Sequence, residues 1–217
     1  MPKIEVDTIF FDVDGTLVDS KKDIANAMNH ALSFLGFKNL TQNEIILHVG
    51  NGVKDLVRNC MGSCRDEAVI RKAADLYWEH FMAHAVDETV LYPHAKDILD
   101  HLKDKRKFIL TNRYKDFAEA TLKGLGIIHY FEEVIGGDDE ACIKPCAGIL
   151  DKIASEEKVD KAKALIVGDM DVDILTGKNA GVKTCWVTYG LGRIEQVKDL
   201  KPDYIIEDLI ELKEIIK

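Results

Sequence analysis

The sequence predicts an α/β protein: a doubly wound, Rossmann-like parallel sheet with an all-helical segment inserted near its beginning. Three observations carry this. The run Thr8-Ile9-Phe10-Phe11 has no solvated face and ends in Asp12-Val13-Asp14-Gly15-Thr16, as a strand buried on both sides does. About seventy residues of helical period follow. Beyond Tyr92-Pro93 short apolar runs alternate with helical ones, which means a parallel sheet covered by helices on both faces.

Each element has its own signal. Ile24, Ala27, Met28, Ala31, Leu32 and Leu35 form one helical stripe that Gly36 ends. Thr41-Gln42-Asn43-Glu44 is a capping box opening a second helix over 45–49. Gly50-Asn51-Gly52 interrupts it, and a third helix is expected over 53–61. A fourth, over 66–86, turns Ala73, Leu76, Tyr77, Phe81 and Met82 inward. The remaining helices are expected over 95–102, 116–124, 147–155 and 174–179, with Gly181 closing the last of these and Asp208 capping one more. Strands are expected over 107–110, 133–135, 164–167, 183–188 and 204–206. The domains follow: 1–17 with 90–217 as the α/β core, 18–89 as the helical insert, and hinges near 17–19 and 86–92.

Composition narrows the function. The chain has 217 residues, 47% hydrophobic and 31% charged, which suits one large or two small globular domains. Its net charge of −9 makes it a poor non-specific ligand for nucleic acid or an anionic membrane. Any phosphate site must therefore bring local cations. Met1 to Asp7 contain no apolar leader, and no apolar run approaches membrane-spanning length. A cytoplasmic setting is the expectation. The five cysteines, with Cys60/Cys64 and Cys142/Cys146 each four apart, match no disulfide or zinc framework, so buried, reduced thiols are expected. The basic cluster 103–107 and the acidic run Asp138-Asp139-Glu140 read as solvated turns.

The polar residues gather where strands end. Asp12 and Asp14 follow the first strand, Thr111 and Asn112 another, Gly168 and Asp169 a third, with Asp173 close behind and Lys144-Pro145 between. In a parallel sheet such ends lie on one edge and converge. Asp12 and Asp14 point to the same side and repel, so one is protonated or held by a cation such as Mg²⁺. A calcium loop is excluded: its twelfth position, counted from Asp12, is Asp23 and not glutamate, and a strand precedes it. These residue types suit phosphoryl transfer. One carboxylate can attack phosphorus, a second can protonate the leaving oxygen, hydroxyl and amide can donate to phosphoryl oxygens, and lysine can offset their charge. Plainer roles stay open for each: a turn cap for Asp12 and Asp14, a turn residue at Asn112, a surface lysine at Lys144, and a helix cap at Asp173.

Taken together, the four signatures resemble those of the haloacid dehalogenase superfamily, specifically its phosphatases with a helical cap after the first strand. The resemblance spans essentially the whole chain. It implies Asp12 as nucleophile, Asp14 as general acid/base, Thr111 and Asn112 as phosphoryl-oxygen donors and Lys144 as charge partner. It also implies Mg²⁺ held by Asp12, the Asp14 backbone carbonyl and Asp169, with Asp173 orienting Lys144 or a metal-bound water or ligating occasionally. Two departures stand out: Pro145-Cys146-Ala147 replaces Pro-x-Pro, and His94 stands where glycine commonly follows Tyr-Pro.

Asp14 points to hydrolysis, since the dehalogenases lack it and ion-pumping ATPases carry threonine there. The turn at Gly50, Asn51 and Gly52 resembles the cap turn of phosphoglycolate-type phosphatases. It implies a small anionic leaving group read by backbone amides, with Lys54 or Arg58 as candidate helpers. A β-phosphoglucomutase-like mutase, a pyrophosphatase and a catalytically silent phosphate sensor are the alternatives. The expected partner is a small phosphorylated metabolite, and the oligomeric state, monomer or homodimer, is left open.

Overall fold

The computed structural model describes residues 3–217. Met1 and Pro2, the head of the segment read as lacking a leader, lie outside the described residues, as does the side chain of Glu140 in the acidic run. The chain opens with β1 (Thr8–Phe11), β2 (Val18–Asp19) and four helices: α1 (Lys21–Phe34), α2 (Gln42–Ile46), α3 (Val53–Cys60) and α4 (Glu67–Ala83). There follow β3 (Val90–Leu91), α5 (Ala95–His101), β4 (Arg106–Leu110), α6 (Lys115–Gly124), β5 (Glu133–Ile135) and α7 (Ala147–Glu156). The chain ends with β6 (Ala164–Gly168), α8 (Asp171–Ala180), β7 (Lys183–Val187), α9 (Ile194–Val197), β8 (Tyr204–Ile206) and α10 (Leu212–Ile215).

Six strands form one parallel sheet in the order β5-β4-β1-β6-β7-β8. The four apolar residues of β1 place it inside the sheet, with Phe10 opposite Phe108 on one side and Ile166 on the other. Successive side chains take opposite faces. Ile9 and Phe11 join one buried cluster with Ile109 and Leu165, and Phe10 joins the other with Phe108 and Leu110. From β1 the chain builds out to β5, returns beside β1 as β6, and builds out to β8. That reversal opens a crevice at the carboxyl end of β1, where such sheets bind ligands.

Helices α1 to α4 bury a cluster of their own, including Met28, Leu32, Val57, Tyr77 and Phe81. Phe117 of α6 enters it from the sheet side, its ring centroid 4.9 Å from that of Phe81 and 5.9 Å from that of Tyr77. The two expected hinge segments pair with each other. Val18 lies opposite Leu91 in a two-stranded antiparallel ribbon, too short to show any period in sequence. Asp23, buried beside it, accepts hydrogen bonds from the backbone N–H groups of Glu88 and Thr89 and from the Thr89 hydroxyl. Among the described residues no helix is long and apolar enough to cross a membrane.

Several expectations need correction. The fourth helix ends at Ala83, because the chain turns at His84, whose ring pairs with Asp87 at 2.7 Å. The second begins at Gln42, one residue past the Thr41 cap. The eighth starts three residues earlier than expected, at Asp171. The basic cluster is not wholly solvated: Lys107 is buried in β4 and its Nζ donates to the carbonyls of Leu102 and Lys105. Reduced thiols do not hold throughout. Cys142 and Cys146 are joined by a disulfide, since the turn between them brings their Cα atoms to 5.3 Å, inside the bonding range. Cys60, Cys64 and Cys185 are free. His94, which stands where glycine commonly follows Tyr-Pro, has φ +58, a conformation natural to glycine, and a 2.8 Å contact with Asp208.

Candidate active site

Three strand ends and one loop converge on the crevice. Asp12 extends β1, its N–H bonded to the Val167 carbonyl of β6. Gly15 then turns the chain with φ +86. A side chain there would place its Cβ 2.2 Å from Asp169 Oδ2, so the glycine is set by close approach as well as by conformation. Thr16 donates its hydroxyl to Asp169 Oδ1 at 3.1 Å, which ties the first signature to the end of β6. The other Asp169 oxygen accepts from the N–H groups of Leu191 and Gly192.

Lys144 supplies the central charge. It is 3% exposed. Its Nζ donates to Asp12 Oδ1 at 2.7 Å and to Asp173 Oδ1 at 2.6 Å. Burial disfavours its charge, but Asp12 and Asp173 outweigh burial and hold the ammonium firmly protonated. Asp173 opens α8 and also accepts from the Met170 N–H at 3.0 Å, so the capping role and the contact with lysine coexist in one carboxylate.

Asp12, Asp169 and Asp173 each offer an oxygen within 4.8 Å of the others. Burial, and then the neighbouring Asp12 and Asp173 charges, push the Asp169 carboxyl well above its ordinary range. Three buried carboxylates against one ammonium leave negative charge that a divalent cation would balance. Hard oxygen donors of this kind suit Mg²⁺. The set therefore fits the expected metal.

Asp14 has a different environment. Its carboxylate lies 2.8 Å from Arg113 Nη2 and accepts from the Ser20 hydroxyl. The expected clash between Asp12 and Asp14 is thus met by two separate cations, Lys144 and Arg113. The Asp14 side chain stands outside the carboxylate trio. Burial raises its pKa, against the lowering influence of Arg113.

Asn112 is held by three hydrogen bonds. Its Nδ2 donates to the carbonyls of Gly50 and Lys144, and its Oδ1 accepts from the Lys144 N–H at 2.7 Å. Both amide protons are engaged, so the side chain clasps the lysine loop to the turn between α2 and α3. Thr111, 3% exposed, accepts from the Arg113 N–H through its hydroxyl oxygen and keeps its own proton to donate.

Gly50 and Gly52 line the same small cavity as Asp12, Asp14, Thr111 and Lys144. Gly50 has φ +125, and a Cβ on it would meet the Met170 side chain at 2.7 Å. Asn51 is exposed and faces a neighbouring groove with Arg193, outside this cavity. Lys54 is exposed as well, and Arg58 pairs in solvent with Glu67 at 3.0 Å, so neither lines the cavity. Sequence reasoning missed Arg113, Ser20 and the Leu191 and Gly192 amides. Only Arg113 carried a signal, a charge directly after Thr111-Asn112 at a strand end on the ligand edge.

Comparisons with known proteins show what the chain as a whole is similar to. Residues 9–187 match the family described as haloacid dehalogenase-like hydrolase. The chain is 30% identical to a phosphoglycolate phosphatase of Vibrio parahaemolyticus, over 100% of this chain and 98% of that protein. It is 32% identical to another of that name from Colwellia psychrerythraea, over 96% of each. A crystal structure described as a predicted phosphoglycolate phosphatase from Haemophilus somnus superposes with a TM-score of 0.91 at 25% identity, covering 97% of this chain and 98% of that one.

Removing the buried ammonium should expose the repulsion it holds in check. Lys144→Met in metal-free buffer is expected to lower the unfolding free energy by about 3–5 kcal/mol. Urea denaturation followed by circular dichroism measures this. Unchanged stability would mean that the contacts of Lys144 with Asp12 and Asp173 are not the constraint described.

Proposed function

The chain belongs to the haloacid dehalogenase-like hydrolase family and is a phosphoric monoester hydrolase; from that premise we propose that it hydrolyses a small phosphate ester of the phosphoglycolate type, through a phosphoryl group carried on Asp12. The observation that supports this most is Lys144, bridging Asp12 and Asp173 beside Asp14 at the sheet's crevice. The relatives named phosphoglycolate phosphatase support the substrate class.

In this reading Asp12 attacks phosphorus and the bond to the leaving alcohol oxygen breaks. Asp14, kept towards its neutral form by burial, gives that oxygen its proton. Asp14 then takes a proton from water as the water oxygen attacks the aspartyl phosphate, which releases phosphate and restores Asp12. Lys144 offsets the charge on the phosphoryl oxygens, and Thr111 donates its hydroxyl proton to one of them. Asp12 and Asp169 through their side chains, and Asp14 through its carbonyl, would hold Mg²⁺, with Asp173 beside them. When bound, the ion offsets the negative charge that otherwise opposes approach of an anionic ester to Asp12.

The substrate-facing wall opposite the sheet edge is apolar, with Val53, Leu56 and Tyr77 beside Gly50 and Gly52. We read residues 18–89 as a cap on a core of 1–17 and 90–217. Its closure would keep bulk water from the phosphoryl group. The glycines let backbone approach the leaving group closely. Phosphorylated metabolites do not cross membranes unaided, so the cytoplasm is the setting that goes with this substrate.

Asp12→Asn should keep its fold, checked by circular dichroism, and lose turnover by on the order of a thousandfold or more. Near-full activity in that variant would overturn the nucleophile assignment. Chelation should abolish hydrolysis in the native chain, and added Mg²⁺ should restore it. Activity indifferent to both would remove the metal from the account. A panel of small esters ranked by kcat/KM tests the substrate class.

A further inference from the structure

Arg113 follows Thr111 and Asn112 at the end of β4, and its guanidinium turns into the crevice. The residue is 7% exposed. Its Nη1 donates to the Thr121 hydroxyl at 3.1 Å, and its Cζ stands 4.5 Å above the Phe81 ring, a cap residue. These contacts fix the plane of the group. Nη2 lies 2.8 Å from Asp14 Oδ1, yet its N–H bonds do not point at that oxygen, and the atom is buried without a hydrogen bond. A buried charged donor left unmet is costly, which marks Nη2 as a group awaiting an acceptor.

The cavity makes that acceptor specific. Among the described residues lining it, the only cations are Lys144 and Arg113. Lys144 is engaged by Asp12 and Asp173 and faces the phosphoryl position. The apolar wall of Val53, Leu56 and Tyr77 has no charge to offer. The side-chain cation left for a substrate's second negative group is therefore Arg113. The distances agree with the chemistry. In a 2-phosphorylated two-carbon acid, the carboxyl carbon is two bonds from the ester oxygen. Asp14 serves that oxygen, and Arg113 touches Asp14.

We propose that Arg113 is the specificity-determining residue of this site, taking the substrate's carboxylate while Lys144 and Thr111 take its phosphoryl group. The inference rests on the phosphoglycolate-type reading above and adds the residue that enforces it. The guanidinium presents parallel donors that match a carboxylate, and the apolar wall strengthens the pairing by excluding water. Without substrate, Asp14 occupies part of that position.

The test compares 2-phosphoglycolate with its neutral carboxamide, 2-phosphoglycolamide, on the native chain and on Arg113→Gln. The native chain should favour the acid in kcat/KM by about 10- to 100-fold. In Arg113→Gln that preference should fall to within about threefold, chiefly through KM for the acid. Loss of the Asp14 contact weighs on both substrates and cancels in the ratio. Arg113→Lys should recover part of the preference. If Arg113→Gln fails to fold by circular dichroism, Arg113→Met, uncharged and of similar reach, carries the same comparison. A native preference that survives removal of the guanidinium would overturn the inference and leave the substrate reading standing. A native chain that hydrolyses both equally, or neither, would overturn the substrate reading and this inference with it.

Discussion

The Nζ of Lys144 lies 2.7 Å from Asp12 and 2.6 Å from Asp173 in a place almost closed to solvent, and the surrounding structure answers to that arrangement. Charges this deep are tolerated only when paired and hydrogen-bonded. Every element at the crevice contributes to meeting that condition. The Leu191 and Gly192 amides hold Asp169, the Met170 amide holds Asp173, and Thr16 ties Asp169 to the β1 loop. The carboxylates Asp12, Asp169 and Asp173 gather oxygens within 4.8 Å of one another, a set that suits a divalent cation.

Asn112 shows how the fold transmits this constraint. One amide joins the end of β4, the Lys144 loop and the turn at Gly50. Lys144 and the turn at Gly50 are thereby fixed relative to each other. Phe117 and Arg113 make the same connection through packing, by reaching from the sheet into the helical cluster around Phe81. The helical segment is thus tied to the crevice at two places, by a hydrogen bond at Gly50 and by packing at Phe81.

Much of this was legible in the sequence. The first strand declared itself because four large apolar residues ran straight into two carboxylates, and the helical insert because its stripe kept a 3.6-residue period. What sequence could not give were features decided by partners distant in the chain. The two-residue ribbon of β2 and β3 has no period to read. Lys107 reads as solvated until the carbonyls of Leu102 and Lys105 fold over it. The clasp that Asn112 makes between Gly50 and Lys144 joins residues far apart in the chain. Cys142 and Cys146 meet because a turn brings them together, which spacing alone does not state. Arg113 shows in sequence only as a charge at a strand end, and its partners Asp14, Thr121 and Phe81 are set by the fold.

The account depends on Asp12 carrying the phosphoryl group. Rapid acid quenching of the enzyme during turnover of a good phosphate ester, followed by digestion and mass spectrometry, tests that directly. A phosphoryl adduct on the peptide spanning Thr8–Phe11 and Asp12, localised to Asp12, is the predicted result. An adduct localised to any other residue would contradict it.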